Sequence, residues 1–380
     1  MNDRNSILPP AVLGIVGGGQ LGQMFAFKAR EMGYGVAILE PDENAPAKTF
    51  ANYHIVARYD DKKALNELAR LSSVITTEFE NVPADSLKYL SQFKPVYPHY
   101  KALEITQNRI KEKDFFNEIQ IHTASYKAII SINDVEQIDE SLFPGILKTA
   151  SGGYDGKGQI QVNSKQELQL AFEKLNTSCI LEKIVDLKME LSVVVSKNLF
   201  ETEVFPVTEN IHKNGILDIS IAPARINDEL THRAQQYAIK IINHLDYIGV
   251  LAIEFFISKN NEILANEMAP RPHNSGHHTI ESCMTSQFEQ QIRSICNLKL
   301  GKTDLHTPSI MLNLLGDIYP NGNNPDWDKI LSKYNNAKLH LYGKKIAKPG
   351  RKMGHVTLIG ADREKLLQDI AQIKANLQEV

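Results

Sequence analysis

The first hundred residues alternate short apolar runs with stretches whose apolar positions recur at helical spacing. Residues 11–16 are an apolar run ending in glycines, and residues 21–31 place Leu21, Met24, Phe25 and Ala29 on one helical face. Gly33 and Gly35 break that helix, residues 36–39 form a second apolar run, and residues 60–71 and 74–77 repeat the helix–strand step. Such alternation predicts a parallel sheet with right-handed crossovers, a small doubly wound domain.

The pattern changes at Pro95 and Pro98. Residues 105–118 predict one charged helix with Arg109, Lys111, Lys113 and Asp114 facing solvent or a partner. Strand-like runs then dominate, at 125–130, 145–149, 158–162 and 179–183, with a helix at 165–174. Further runs follow at 190–196, 201–206, 216–221, 250–257 and 263–267, around a long helix at 228–245. The tail adds a run at 309–314, a hairpin around 338–345 and 355–359, and a last helix. The expected fold class is α/β with α+β. A doubly wound parallel-sheet domain spans 1–100, a linker helix and small β-rich unit 101–188, and a larger mixed unit 189–380.

Composition narrows the function. Lys plus Arg number 42 and Asp plus Glu 45, a formal charge of −3, which carries no footprint for nucleic acid or an anionic membrane. A hydrophobic share of 42% and a charged share of 23% exclude disorder. Cys179, Cys283 and Cys296 show no C-x-x-C spacing, which argues against a zinc ribbon or a dithiol redox site. Asp3, Pro9 and Pro10 interrupt the start, so no signal peptide is expected, and no apolar run approaches the ~18 residues of a membrane span. A cytoplasmic, reduced protein is the expectation.

Five segments carry candidate chemistry. Gly17-Gly18-Gly19-Gln20-Leu21-Gly22 is a G-x-G-x-x-G between a strand and a helix, with Glu40 about twenty residues on. It fits a dinucleotide, a single phosphate, or a plain strand–helix turn. Residues 148–159, Lys-Thr-Ala-Ser-Gly-Gly-Tyr-Asp-Gly-Lys-Gly-Gln, put four glycines between two strands. Such a hairpin can wrap phosphate oxygens with backbone N–H groups while Lys148 adds its ammonium. Glu254 and Glu267 lie 13 residues apart in two apolar runs joined by a turn, so a hairpin sets them opposite one another. With Asn266 they offer oxygen ligands for Mg²⁺; the bland alternative is a solvated pair on an edge strand.

Residues 269–278 hold Arg271, His273, His277 and His278 in a proline-stiffened segment. The i, i+4 histidines raise zinc, but Pro272 and Gly276 oppose the helix this needs, and Arg271 suits a carboxylate-like anion. Residues 344–352 put five cations, among them Lys345, Arg351 and Lys352, around a Pro-Gly turn, for a phosphate monoester or as a solvated face.

Together the glycine hairpin, the strand lysine and the Glu…Asn-Glu hairpin resemble the ATP-grasp superfamily. Within it GGGQLGQM, TTEFENV, KTASGGYDGKGQ, NIHKNGIL, NEMAPRPHNSGHHT and KPGRKMGHVTL resemble the N5-carboxyaminoimidazole ribonucleotide synthetases of purine biosynthesis, over residues 11–360. The Tyr154-Asp155 pair and the Arg-x-His-Asn-Ser-Gly-His string separate the chain from biotin carboxylases and formate-dependent transformylases. The resemblance implies carboxylation of 5-aminoimidazole ribonucleotide by ATP and bicarbonate through carboxyphosphate, with two Mg²⁺ ions and a homodimeric enzyme.

By the same resemblance Arg109 and Lys148 contact ATP phosphates, and Gly153, Tyr154, Asp155, Gly156, Lys157, Gly158 and Gln159 form the lid. Glu182, Lys183, Ile184 and Val185 line the adenine, Glu190 holds the ribose, His212 approaches the triphosphate, and Glu254 and Glu267 hold the metal beside Asn266. For the ribonucleotide it implies Glu78, Tyr154, Asp155, His273, Lys345, Arg351 and Lys352, with Gly19, Gln20 and Leu21 at the 5′-phosphate. Arg271 is the candidate for bicarbonate and Asp155 for the attacking amine. The rival reading, a nicotinamide-dependent dehydrogenase on the first glycine turn, leaves the second glycine hairpin and the paired glutamates without a task.

Overall fold

The computed structural model describes residues 5–153, 158–319 and 322–378, so Tyr154, Asp155, Gly156 and Lys157 of the expected lid lie outside the described residues. Among the described residues the strands form three sheets. The first joins β1 (Val12–Val16), β2 (Gly35–Leu39), β3 (Tyr53–Ile55) and β4 (Val74–Thr77) in the order β3-β2-β1-β4, all parallel. Helix α1 (Gln20–Glu31) follows β1 and α2 (Lys62–Leu71) follows β3. Both faces of β1, β2 and β4 are buried, which is why β1 and β2 read as unbroken apolar runs. One face packs Leu65 and Leu68 with Leu87, Leu90 and Leu103; α3 (Ala84–Leu90) and α4 (Tyr100–Thr106) supply the last three. The other face packs Phe25 and Ala29 of α1 against Phe288, Ile292 and Ile295 from the distant helix Gln287–Ile295, so the first domain shares a core with the last.

The second sheet, in the order β5-β8-β6-β7, comprises β5 (Tyr126–Ile129), β6 (Gly145–Thr149), β7 (Gln159–Val162) and β8 (Cys179–Lys183), all antiparallel. The expected glycine hairpin is its β6–β7 connection, with Lys148 opposite Gln159. The third sheet has nine strands. They are β9 (Leu187–Lys197), β10 (Thr202–Val204), β11 (Thr208–Lys213), β12 (Ile216–Ala222), β13 (Gly249–Ser258), β14 (Ile263–Ala269), β15 (Ser309–Leu315), β16 (Ala337–Leu341) and β17 (Lys352–Ile359). The main path is β14-β13-β9-β11-β12-β15-β17-β16, and β10 pairs with β9. The helix Asp228–His244, capped by Asn227, lays Leu230, Ala234, Ala238, Ile241 and Ile242 on this sheet.

Two expectations need correction. Residues 105–118 do not form one helix. The chain breaks at Gln107 and Asn108, where the Asn108 side chain accepts the Ile110 and Lys111 N–H groups, each at 3.1 Å, and starts α5 (Arg109–Glu118) afresh. Nor is α5 a solvated charged face throughout. Lys111 and Asp114 are exposed, but Lys113 is 1% exposed, because its Nζ lies 3.3 Å from Glu182 of β8 and donates to the Asn266 carbonyl of β14 at 2.9 Å. β11 carried no apolar alternation and was not expected. It forms because both its neighbours are strands and two of its buried polar residues are partnered: Glu209 accepts Arg225 Nε at 2.9 Å, and Thr208 meets His278 at 3.2 Å.

Lys113 therefore ties the second sheet to the third. Removing one partner of a buried ion pair costs about 3 kcal/mol. Lys113→Met should lose that much in denaturant unfolding, and Lys113→Met with Glu182→Gln should regain part of it. A single variant within about 0.5 kcal/mol of the parent, the usual effect of a surface substitution, would contradict this placement.

Candidate active site

The β13–β14 hairpin sets Glu254 opposite Glu267, with a bulge just beyond Glu254. On its other side Glu254 faces Ser192 of β9, and Glu190, two residues away on the same face, faces Asn210 of β11. Three carboxylates and His212 of β11 thus gather on one surface, and the His212 ring contacts Glu190. Burial and then the Glu267 charge push Glu254 up to about 7. Burial alone depresses His212, but the Glu190 hydrogen bond and the nearby carboxylates outweigh it and raise the imidazole pKa.

This surface floors a cavity of about 690 Å³ between the second and third sheets. Its lining includes Arg109, Lys148, Gly153, Gln159, Glu190, His212, Glu254, Asn266 and Glu267. Arg109 binds Glu267 at 3.1 Å and reaches the Gly153 carbonyl at 3.4 Å, joining the metal-type hairpin to the start of the glycine loop. Lys148 lies 3.1 Å from Glu182, whose carboxylate sits between Lys148 and Lys113. Burial raises the Glu182 pKa, but the two ammonium groups prevail and hold it at about 2. Glu182, Lys183, Ile184 and Val185 themselves lie outside the lining. Gly158 also lies outside it, with a φ of +73° and room too tight for a Cβ, which would stand 2.9 Å from the Thr149 hydroxyl.

A second cavity of about 340 Å³ opens between α1 and the basic turn. Gly19, Gln20, Leu21, Glu78, Arg351 and Lys352 line it, as does Lys344. Lys345 donates to Asn44 at 2.6 Å and lies outside this lining, whereas its neighbour Lys344 is part of it. Glu78 accepts the N–H groups of Gly19 and, at 2.6 Å, Gly22, placing a carboxylate on the helix N-terminus where a dinucleotide needs its pyrophosphate. A Cβ on Gly19 would stand 2.7 Å from the Glu78 oxygen, so glycine is needed for that approach. Glu40 is likewise engaged, accepting the Tyr59 hydroxyl at 2.7 Å. The dinucleotide reading fails on both counts.

The two cavities share a wall of five residues: Glu80, Arg271, His273, Asn274 and Lys352. Arg271 Nε donates to Glu80 at 2.5 Å; burial alone raises the Glu80 pKa, but this guanidinium wins and holds it at about 2. Ser192 donates to Ser275 at 2.7 Å, and Ser275 lies 2.9 Å from His273 Nδ1. That chain assigns Nδ1 as an acceptor and turns the Nε2–H toward Glu254, 3.4 Å away. Burial, reinforced by Arg271, drives the His273 pKa well down, so the ring is neutral.

The zinc alternative does not hold. Residues 274–276 form a single 3-10 turn, His278 is engaged by Ser282 at 2.9 Å, and His277 packs against Phe288 and His355. Among the described residues no group of three or more His, Cys, Asp or Glu side chains converges as a metal site.

Sequence reasoning missed Glu80, Glu112 and Asn274. Glu80 stands two residues beyond Glu78 in the same string. Glu112 follows Arg109 by three on α5 and accepts the Met268 N–H at 2.8 Å, and that helical spacing was a usable signal.

Residues 11–107 match the ribonucleotide synthetase preATP-grasp domain, residues 114–288 the ATP-grasp domain, and residues 309–369 the phosphoribosylaminoimidazole carboxylase C-terminal domain. A Bacillus subtilis (strain 168) protein named N5-carboxyaminoimidazole ribonucleotide synthase is 44% identical over 367 residues, 96% of this chain and 95% of that one. A solved N5-carboxyaminoimidazole ribonucleotide synthetase in complex with ADP superposes with a TM-score of 0.92 at 43% identity, covering 98% of each chain. An Aspergillus clavatus synthase solved with ADP and 5-aminoimidazole ribonucleotide superposes at 0.89 with 31% identity, covering 99% of this chain and 100% of that one. With an ATP-grasp fold, paired carboxylates below a glycine hairpin and these likenesses along its length, the chain belongs to the N5-carboxyaminoimidazole ribonucleotide synthase family of ATP-grasp ligases.

Proposed function

We infer that the chain carboxylates the exocyclic amine of 5-aminoimidazole ribonucleotide, using bicarbonate and ATP and releasing ADP and phosphate, as a step of purine biosynthesis. The observation that carries this reading is the shared wall. A site that activates bicarbonate on a nucleotide and delivers it to a ribonucleotide needs two adjoining chambers with an anion clamp between them, and Arg271 lines both.

In this reading ATP occupies the larger cavity. Arg109, Lys148 and His212 face its phosphates and Glu190 its ribose, while the adenine extends past the cavity lining to the backbone of Glu182 and Val185, flanked by Lys183 and Ile184. The loop from Gly153 to Gln159 covers the phosphates. The donor set fits Mg²⁺, which takes one or two carboxylates and completes its octahedron with phosphate oxygens and water. Two facing carboxylates, one raised to about 7 by burial and its neighbour, form a pair that a cation stabilises. Glu254 and Glu267 with Asn266 would hold the metal, in two ions, and when bound it neutralises charge on the transferring phosphoryl group.

Arg271 clamps bicarbonate while its oxygen attacks the γ-phosphorus. The carboxyphosphate so formed is shielded from water by the glycine loop until the amine, held by Asp155, attacks its carbon and phosphate leaves. Glu80 keeps the planar guanidinium aimed. The ribonucleotide takes the smaller cavity. Its 5′-phosphate lies among Arg351, Lys352 and Lys344 at the N-terminus of α1, which keeps the Gln20 and Leu21 N–H groups available once Glu78 has taken those of Gly19 and Gly22.

The units meet near residues 100 and 188. By resemblance to its family we place the enzyme in the cytoplasm as a homodimer; no described helix is long and apolar enough to cross a membrane.

Phosphate release tests the reading. It should require both bicarbonate and Mg²⁺, rise with 5-aminoimidazole ribonucleotide, and fall about 100-fold in Glu267→Gln. ADP with Mg²⁺ should raise the melting temperature and NAD should not. Bicarbonate-independent phosphate release, or stabilisation by NAD alone, would overturn it.

The Arg271–Glu80 pair sets a pH dependence. The folded Glu80 pKa of about 2 lies below its unfolded value of about 4.3, so its contribution to stability is complete above pH ~5 and fades as pH falls toward 2. Urea unfolding of the parent and Glu80→Gln between about pH 6 and pH 3 should differ most at the upper end and converge toward the lower. A pH-independent difference would contradict the pairing.

A further inference from the structure

Asn274 stands apart from the other residues of the shared wall. It is 7% exposed and lines both cavities, yet neither its Oδ1 nor its Nδ2 has a hydrogen-bond partner among the described residues. Buried side-chain amides are almost always satisfied, and an unsatisfied one destabilises the fold. The backbone around it is firmly held: Gln287 accepts the His273 N–H and donates to the His273 carbonyl, each at 2.8 Å, and the Asn274 carbonyl accepts the His277 N–H at 3.1 Å. Its neighbours on the wall are engaged, Arg271 by Glu80 and His273 by Ser275 and Glu254. A rigidly mounted amide with both ends unpaired at the junction of two cavities is built for a ligand that passes between them.

We propose that Asn274 binds the one-carbon group itself, donating from Nδ2 to a carboxylate oxygen and accepting at Oδ1 from the adjacent O–H or N–H. This inference rests on the carboxylation reading above. An amide presents a donor and an acceptor side by side in one plane. Bicarbonate offers the complementary edge, a C–O⁻ beside an O–H, and the product carbamate offers it again, a C–O⁻ beside an N–H. One side chain therefore recognises the carboxyl group on arrival and after transfer, while Arg271 supplies the charge.

Asn274→Ala and the isosteric Asn274→Asp test this through separate Michaelis constants and through the ratio of phosphate released to ribonucleotide carboxylated. Both variants should raise the bicarbonate KM at least tenfold and keep the ATP KM within twofold. Both should also release more than one phosphate per product, because an untethered intermediate escapes to water. Asn274→Ala should keep or raise the melting temperature, since it removes an unsatisfied buried amide and no hydrogen bond. An unchanged bicarbonate KM with tight coupling in either variant overturns the assignment. So does a lowered melting temperature in Asn274→Ala, which makes the residue structural. Failure of the carboxylation reading is seen separately, as an unmutated enzyme whose phosphate release ignores bicarbonate.

Discussion

Three anions must be brought together here, a nucleoside triphosphate, bicarbonate and a sugar phosphate, and mutual repulsion is the constraint that organises the structure. Cations alone would meet it at the price of a site that flies apart when empty. Instead, four cationic or protonatable groups of the larger cavity are each seated on a carboxylate from a different segment: Arg109 on Glu267, Lys148 on Glu182, His212 on Glu190 and Arg271 on Glu80. Each carboxylate fixes the direction of its cation before substrate arrives, and such preorganised charge stabilises a transition state without reorganising during the reaction. The Arg271–Glu80 pair also joins the end of the third sheet to the first domain, so a substrate-facing contact helps hold the domains together.

That economy explains why the first domain shares a core with the helix Gln287–Ile295. The wall between the cavities is built from the segment after β14 on one side and the segment after β4 on the other. If the domains slid independently, Arg271 would leave Glu80 and the path between the chambers would open to solvent. Packing Phe25 and Ala29 on Phe288 and Ile292 fixes the first domain against the segment that follows β14.

Local features were legible in the sequence. The parallel sheet followed from strand–helix alternation, and the opposition of Glu254 and Glu267 followed from counting along a hairpin within apolar runs. What escaped were polar residues whose burial depends on remote partners. Glu80 reads as a surface acid until Arg271, 191 residues away, is placed against it. Lys113 reads as a solvated helix charge until Glu182 and the Asn266 carbonyl surround it. β11 has no apolar alternation because Thr208 and Glu209, buried on its two faces, are held by His278 and Arg225 rather than by apolar packing. Lys344 and Lys345 cannot be told apart by composition, since only the course of the turn decides which one faces the cavity.

The central claim is that bicarbonate attacks phosphorus in one chamber and its carbon is passed to the amine in the next without release to water. Turnover with bicarbonate labelled in all three oxygens by ¹⁸O tests this most directly, read by mass spectrometry of the phosphate and the carboxylated ribonucleotide. The account predicts one labelled oxygen in the phosphate and two in the carboxyl group of the product. Phosphate that carries oxygen from unlabelled water instead would contradict it.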